Sequence, residues 1–234
     1  MTEGISGRPG FCLRREIVRA DAALIARLAR FPVALIGDGF GRRAIMAAAI
    51  KPLDPETRLA GPAITVEVRA ADNLMIHAAI ALAHPGDVLV IDAHGDVSSA
   101  VFGGILAEAV KAKGIAGVIV DGAVRDGAEI RGLGLPVFAR AVTPVGPDRD
   151  GPGQVNLPIA CGGVPVGPGD AVLGDADGVI VVPAALMEAA IAGAEARERA
   201  EARIHADIAA GKTTQDFLIP ALRAKGVLGP DETL

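Results

Sequence analysis

The sequence predicts a single mixed α/β domain, on three observations. Apolar, β-branched runs too short for helices, Val88–Ile91, Ala116–Val120 and Val179–Val182, read as buried strands. The segment Ala63–Arg69 (AITVEVR) alternates apolar and polar residues, the pattern of a strand with one wet face. Between such runs lie stretches of strong helix formers, of which Ile105–Lys113 is the clearest. The two kinds of strand occur together, and the regular strand–helix alternation of a doubly wound sheet or a closed α/β barrel is not evident.

Taken in order, residues 1–15 read as a flexible arm. Ile17, Val18, Ala22, Leu24, Ile25 and Leu28 have helical spacing, which predicts a helix from Arg15 to Phe31 ended by Pro32. Val33–Ile36 reads as a short strand before the Gly37-Asp38-Gly39 turn. A loop marked by Pro52, Pro55 and Gly61-Pro62 leads into the alternating strand. A helix follows to Leu82, with Asp72-Asn73 as its candidate N-cap. Pro85-Gly86-Asp87 launches the strand Val88–Ile91, and Asp92-Ala93-His94-Gly95 closes it. The same punctuation returns at Pro168-Gly169-Asp170 and Asp175-Ala176-Asp177-Gly178, so shared turn chemistry accounts for these aspartates better than catalysis does. Gly103-Gly104 opens the helix at Ile105, and Gly114 stops it in the C′ position. Asp121-Gly122 reads as the end of the next strand. A short helix at Ala128–Arg131, a strand at Pro136–Arg140 and β pieces at Gln154–Leu157 and Val164–Val166 follow. The last long helix runs from Ala184 to Ala210, apolar at first and charged from Glu195 to Asp207. The expected boundaries are therefore an arm over 1–15, an α/β domain over 16–211 and an extension over 212–234.

Composition narrows the function. Hydrophobic residues make up 51% of the chain but aromatics only 3%, so the core must be built from Ala, Val, Ile and Leu. The net charge is −5 with no basic stripe, which argues against a nucleic-acid partner. No apolar run is long enough for a bilayer and no secretory leader is visible, so no membrane partner is expected and the expected location is cytoplasmic. Cys12 and Cys161 lie far apart, which fits a reducing compartment and excludes a cysteine zinc site. Dinucleotide and P-loop fingerprints are missing, as is a serine nucleophile elbow.

The stretch Gly103–Asp126, GGILAEAVKAKGIAGVIVDGAVRD, carries the chemistry. Two glycines before a helix leave backbone N–H groups bare, a setting for an anion. The strand that follows delivers Arg125 and Asp126 to the rim of a sheet. Asp126 can simply cap the next helix, and Arg125 can pair with Asp121 or a surface carboxylate. The functional alternative has Arg125 gripping a substrate carboxylate by its planar fork while Asp126 holds a hard cation with several waters. Asn73 and His77 stand one turn apart on one helix face. His84, His94, His205, Asp96 and Glu201 read more simply as surface or capping residues.

The run GDVLVIDAHGDVSSAVFGGILAEAVKAKGIAGVIVDGAVRD, then LPVFAR, then CGGVPVGPGDAVLGDADGVIVVP, resembles the RraA-like family over roughly Leu24–Gly211. That family includes 4-hydroxy-4-methyl-2-oxoglutarate aldolases, which are metal-dependent pyruvate aldolases, and regulators that inhibit ribonuclease E. The resemblance implies an α-β-β-α sandwich of the swivelling β/β/α type, assembled as a homotrimer or homohexamer with the site between subunits. It implies Arg125 and Asp126 as catalytic residues, with Asp126 ligating Mg²⁺ or Mn²⁺. Gly103, Gly104 and Ile105 would face the carboxylate of a small 2-oxo acid. Asn73 and His77 would lie near it, and Glu201 would reach in from the adjacent subunit. The implied reactions are retro-aldol cleavage releasing pyruvate and decarboxylation of oxaloacetate; the alternative is a non-catalytic regulator binding a ribonuclease. One position departs from the aldolase pattern: the residue after the first loop glycine is usually acidic there, and here it is Gly104. Asp92 and Asp96 are the candidates for supplying the missing carboxylate.

Overall fold

The computed structural model describes residues 4–234. The chain opens on a hairpin of β1 (Ile5–Arg8) and β2 (Phe11–Arg14). The expected flexible arm is thus corrected for residues 5–14, and residues 1–3 lie outside the described residues. Pro9 and Gly10 make the turn, and Gly10 takes positive φ, which glycine adopts without steric cost. Next come α1 (Ala22–Leu28) and α2 (Val33–Gly39). Asp21 caps α1 through bonds from the Ala23 and Leu24 N–H groups, so the helix starts later than its apolar spacing suggests. The strand expected at Val33–Ile36 is instead the start of α2. Asp175, remote in sequence, accepts from the Val33 N–H at 2.8 Å and satisfies that helix end.

After β3 (Lys51–Pro52) strands and helices alternate over part of the chain, broken where β6 follows β5. The elements are β4 (Leu59–Val68), α3 (Leu74–Leu82), β5 (Val88–Asp92), β6 (Ala100–Phe102), α4 (Gly104–Ala112), β7 (Gly117–Val124), α5 (Gly127–Leu133) and β8 (Val137–Val142). Strands β4, β5, β7 and β8 pair in parallel in that order, and β6 adds a parallel pairing to the end of β7. Strand β7 runs straight through Asp121-Gly122 rather than ending there. Both residues are buried.

The chain then returns through β9 (Gly153–Val155), the hairpin β10 (Ile159–Cys161) and β11 (Val164–Val166), and the hairpin β12 (Ala171–Asp175) and β13 (Gly178–Val182). Strand β9 lies between β2 and β4. Strand β4 serves both layers: its first half pairs antiparallel with β12 and its second parallel with β5. The two strand launches share one device, as the repeated Pro-Gly-Asp predicts. Asp87 accepts from the His84 N–H and Asp170 from the Gly167 N–H, three residues back in each case.

Side-chain alternation sorts these strands into layers. Leu89, Ile91, Val118 and Val120 point into a core with Ile76, Ala107 and Ile130 of α3, α4 and α5. Val88, Val90 and Ile119 point the other way, onto Val172, Val179 and Val181 of the second β layer. That layer turns Leu173, Ile180 and Val182 onto Leu28, Ile36 and Ile191. Ile191 belongs to α6 (Met187–Ala209), whose opening turns bury Met187, Ala190, Ile191 and Ala194. The order is helix, sheet, sheet, helix, the expected α-β-β-α sandwich.

This compact unit ends at Ala194, within α6, rather than at 211. From Glu195 the helix carries charged side chains and buries none of its residues. Glu195–Leu234 forms a second unit, which includes α7 (Leu218–Ala224). No helix among the described residues is long and apolar enough to cross a membrane.

Candidate active site

The pairing of β6 with the end of β7 builds the site. Phe102 pairs with Val124, and the Arg125 N–H donates to the Phe102 carbonyl at 2.9 Å. Both strands stop there, so the first residues of α4 lie beside Arg125 and Asp126. Binding at the carboxyl ends of parallel strands is the general rule for such sheets. Helix α4 offers no acceptor for the N–H groups of its first turn, those of Ile105 and Leu106 included. Gly103, its N-cap, supplies no side-chain bond.

Asp126 is the N-cap of α5 by position only. It sits in the left-handed region, with φ 59° and ψ 35°, and makes no side-chain bond to its own helix α5. Its Oδ2 instead accepts from the Gly104 N–H at 3.0 Å. Left-handed backbone at a non-glycine residue is a strained state that clusters at functional sites. Arg125 lies alongside, its Nε 3.4 Å from the same oxygen. The guanidinium passes between two glycines: a Cβ at Gly103 would lie 3.1 Å from its Nε, and one at Gly146 would lie 2.7 Å from its Nη1.

Asn73, His77, Gly103, Ile105 and Arg125 line one cleft together with Arg149. Five of the expected substrate-binding residues are therefore brought together, and Gly104 and Asp126 stand at its edge. Asn73 is 5% exposed and its carbonyl Oδ1 has no hydrogen-bond partner. It is the N-cap of α3 by position, yet the capping bond comes from Asp72, whose Oδ1 accepts from the Leu74 N–H at 2.9 Å. Glu201 belongs to the second unit, on α6, 3.4 Å from Arg197.

Asp72 also ties down the far wall of the cleft. Its Oδ2 accepts from the Asp150 and Gly151 N–H groups at 2.7 and 2.9 Å. Burial pushes this carboxyl up, but the three backbone donors and the Arg69 guanidinium outweigh it and hold it below the usual carboxylate range. The lowered pKa stabilises the fold above the unfolded value of 3.8, and that contribution is lost as the pH falls through the still lower folded value. Asp72→Asn is expected to cost about 2 kcal/mol at neutral pH and to flatten the acid limb of the stability curve, as measured by urea unfolding on either side of that range.

Arg125 does not pair with Asp121. Arg125 lies four positions further along the extended chain, about 13 Å away, and Asp121 instead bonds Arg140 and the Gly162 N–H. Asp92 accepts from the His94 N–H and Asp96 from the Ser98 N–H and hydroxyl, each within its own turn. The nearest atoms to the Cβ position of Gly104 belong to Glu129, in the first turn of α5. Glu129 is not among the residues that the sequence singles out. Its only signal was its place three residues after Asp126, which puts both on neighbouring helix positions.

Residues 33–181 match the RraA-like family model, described as Aldolase/RraA. A protein of Halalkalibacterium halodurans, provisionally named 4-hydroxy-4-methyl-2-oxoglutarate aldolase, is 41% identical over 189 residues, covering 78% of this chain and 90% of its own. Among solved structures, Streptomyces coelicolor RraAS2, described as an unusual member of the RNase ES inhibitor RraA family, is 30% identical with a TM-score of 0.71, covering 80% of this chain and 98% of its own. The RNA-processing inhibitor RraA from Thermus thermophilis is 32% identical with a TM-score of 0.60, covering 65% and 92%. With this match over most of its length, the chain belongs to the RraA-like family.

Proposed function

We propose that this protein is a divalent-cation-dependent lyase that cleaves a small hydroxylated 2-oxo acid by a retro-aldol step and releases pyruvate, with oxaloacetate decarboxylation running through the same enolate. The observation that carries this reading is Asp126 turned away from its own helix toward the Gly104 N–H, beside Arg125. Among the described residues no group of three His, Cys, Asp or Glu side chains is placed to hold a metal ion. A cation here would rest on Asp126 and keep most of its shell as water, the habit of Mg²⁺ and also open to Mn²⁺. When bound, it would polarise the substrate carbonyl as a Lewis acid.

The chain's own residues account for the rest. The bare N–H groups at the start of α4 suit the substrate carboxylate. Arg125 holds the negative charge that grows on the carbonyl oxygen as the C–C bond breaks. The unpartnered Asn73 carbonyl can accept a hydrogen bond only from a donor, which favours a substrate carrying a hydroxyl. The reading includes a homotrimer or homohexamer with Glu201 contributed by the neighbouring subunit, an assembly that light scattering would measure. The naming of the Halalkalibacterium relative supports the aldolase class.

A second reading, a non-catalytic regulator that binds a ribonuclease, draws on the likeness to the two RraA proteins. Pyruvate release from a panel of 2-oxo acids, with and without EDTA, separates them. Release abolished by EDTA and restored by Mg²⁺ supports the lyase. No release from any substrate, with capture of a purified ribonuclease, supports the regulator.

A further inference from the structure

Gly104, the first residue of α4, is buried, and a Cβ there would lie 2.5 Å from Oε2 and 2.6 Å from both Oε1 and Cδ of Glu129. No side chain at 104 and the Glu129 carboxylate can share that space. The glycine therefore admits a carboxylate that any other residue would expel. Glu129 has no hydrogen bond or ion pair among the described residues, although it stands in the first turn of its helix. Asp126 Oδ2 lies 3.0 Å from the backbone nitrogen of the same Gly104. Two carboxylates thus meet at one backbone residue, and the Arg125 guanidinium pairs with only one of them, Asp126. The buried, unpartnered Asn73 carbonyl in the adjoining cleft is an independent sign that a ligand completes this rim.

We infer that Glu129 is a cation-positioning residue: its carboxylate, seated against Gly104, holds the cation's water shell beside Asp126. The inference rests on the cation-dependent reading above. The plainer account is that Glu129 only complements the positive end of α5, as first-turn acidic residues do. That account requires nothing of Gly104.

Mn²⁺ binding to the full chain, followed by the electron paramagnetic resonance signal of the free ion, tests it. Outer-shell partners of a metal site are generally worth about 10–100-fold in affinity. Glu129→Gln, an exposed and isosteric change, is expected to weaken Mn²⁺ binding by about that factor while leaving the thermal midpoint unchanged. Gly104→Ala, which displaces the carboxylate, is expected to weaken it similarly. The double variant should be no weaker than the worse single, because both remove one interaction. If Glu129→Gln binds Mn²⁺ like the wild type while Asp126→Ala does not, the inference is overturned and the cation site stands. If the wild type binds no Mn²⁺, the cation reading falls and takes the inference with it.

Discussion

Arg125→Ala is expected to lower kcat/KM for cleavage of a hydroxylated 2-oxo acid by about 10²–10³-fold, the loss seen when one donor to a developing oxyanion is removed. Arg125 is fixed by its surroundings before any substrate arrives. Its backbone is bonded to β6, and its side chain runs between Gly103 and Gly146, where a methyl group on either would press on it. A donor held in place reorganises little when charge appears, so its contribution falls mainly on the transition state. Arg125→Lys is expected to recover only part of the rate, because a point charge cannot reproduce a planar fork. Stability should hardly change. The side chain is 38% exposed, and Asp126 is its ion-pair partner. Wild-type turnover by a folded Arg125→Ala protein would remove Arg125 from the mechanism.

Asp121→Ala is expected to destabilise the fold by about 3 kcal/mol, the lower end of the cost of breaking a buried ion pair. For a chain of this size that lowers the thermal midpoint by about 6–12 °C. Asp121 is 5% exposed, and its two oxygens serve Arg140 and the Gly162 N–H, the latter at 2.6 Å. The bond to Asp121 holds the Arg140 guanidinium's pKa above its ordinary value despite partial burial. Alanine leaves that cation and a buried N–H without a partner. The double variant Asp121→Leu/Arg140→Met should recover much of the loss, since replacing both members of such a pair by apolar groups is often neutral or better. A melting curve for each variant reads the difference. An unchanged midpoint for Asp121→Ala would show that the pair does not hold β7 to β8 and to the β10–β11 hairpin.

What was legible in the sequence followed local chemistry. Strands β5, β7 and β13 announced themselves as apolar runs, and α4 by its flanking glycines. The matched aspartates after Pro-Gly are turn devices, bonded alike in both copies. The misreadings arose where a distant residue decides. Val33–Ile36 is helical with its first N–H satisfied by Asp175. Asp121-Gly122 stays in β7 because Arg140 and Gly162 satisfy the aspartate there. Residues 1–15 read as a flexible arm, yet residues 5–14 form a hairpin that β9 holds in the sheet. At the site, the pairing Arg125-Asp126 and the face shared by Asn73 and His77 could be read from spacing. The meeting of Glu129 with Gly104 could not, because it depends on where α4 and α5 lie in space.

The central claim is that a guanidinium, a carboxylate and the open end of α4 together seat a small keto acid and its cation. The most direct measurement is a crystal structure grown with Mg²⁺ and pyruvate. The expected result is the ion against Asp126, with the pyruvate carboxylate on the α4 N–H groups and its oxo oxygen facing Arg125. A rim left empty in that crystal, with Asp126 still held by Gly104 and Arg125 alone, would contradict the account.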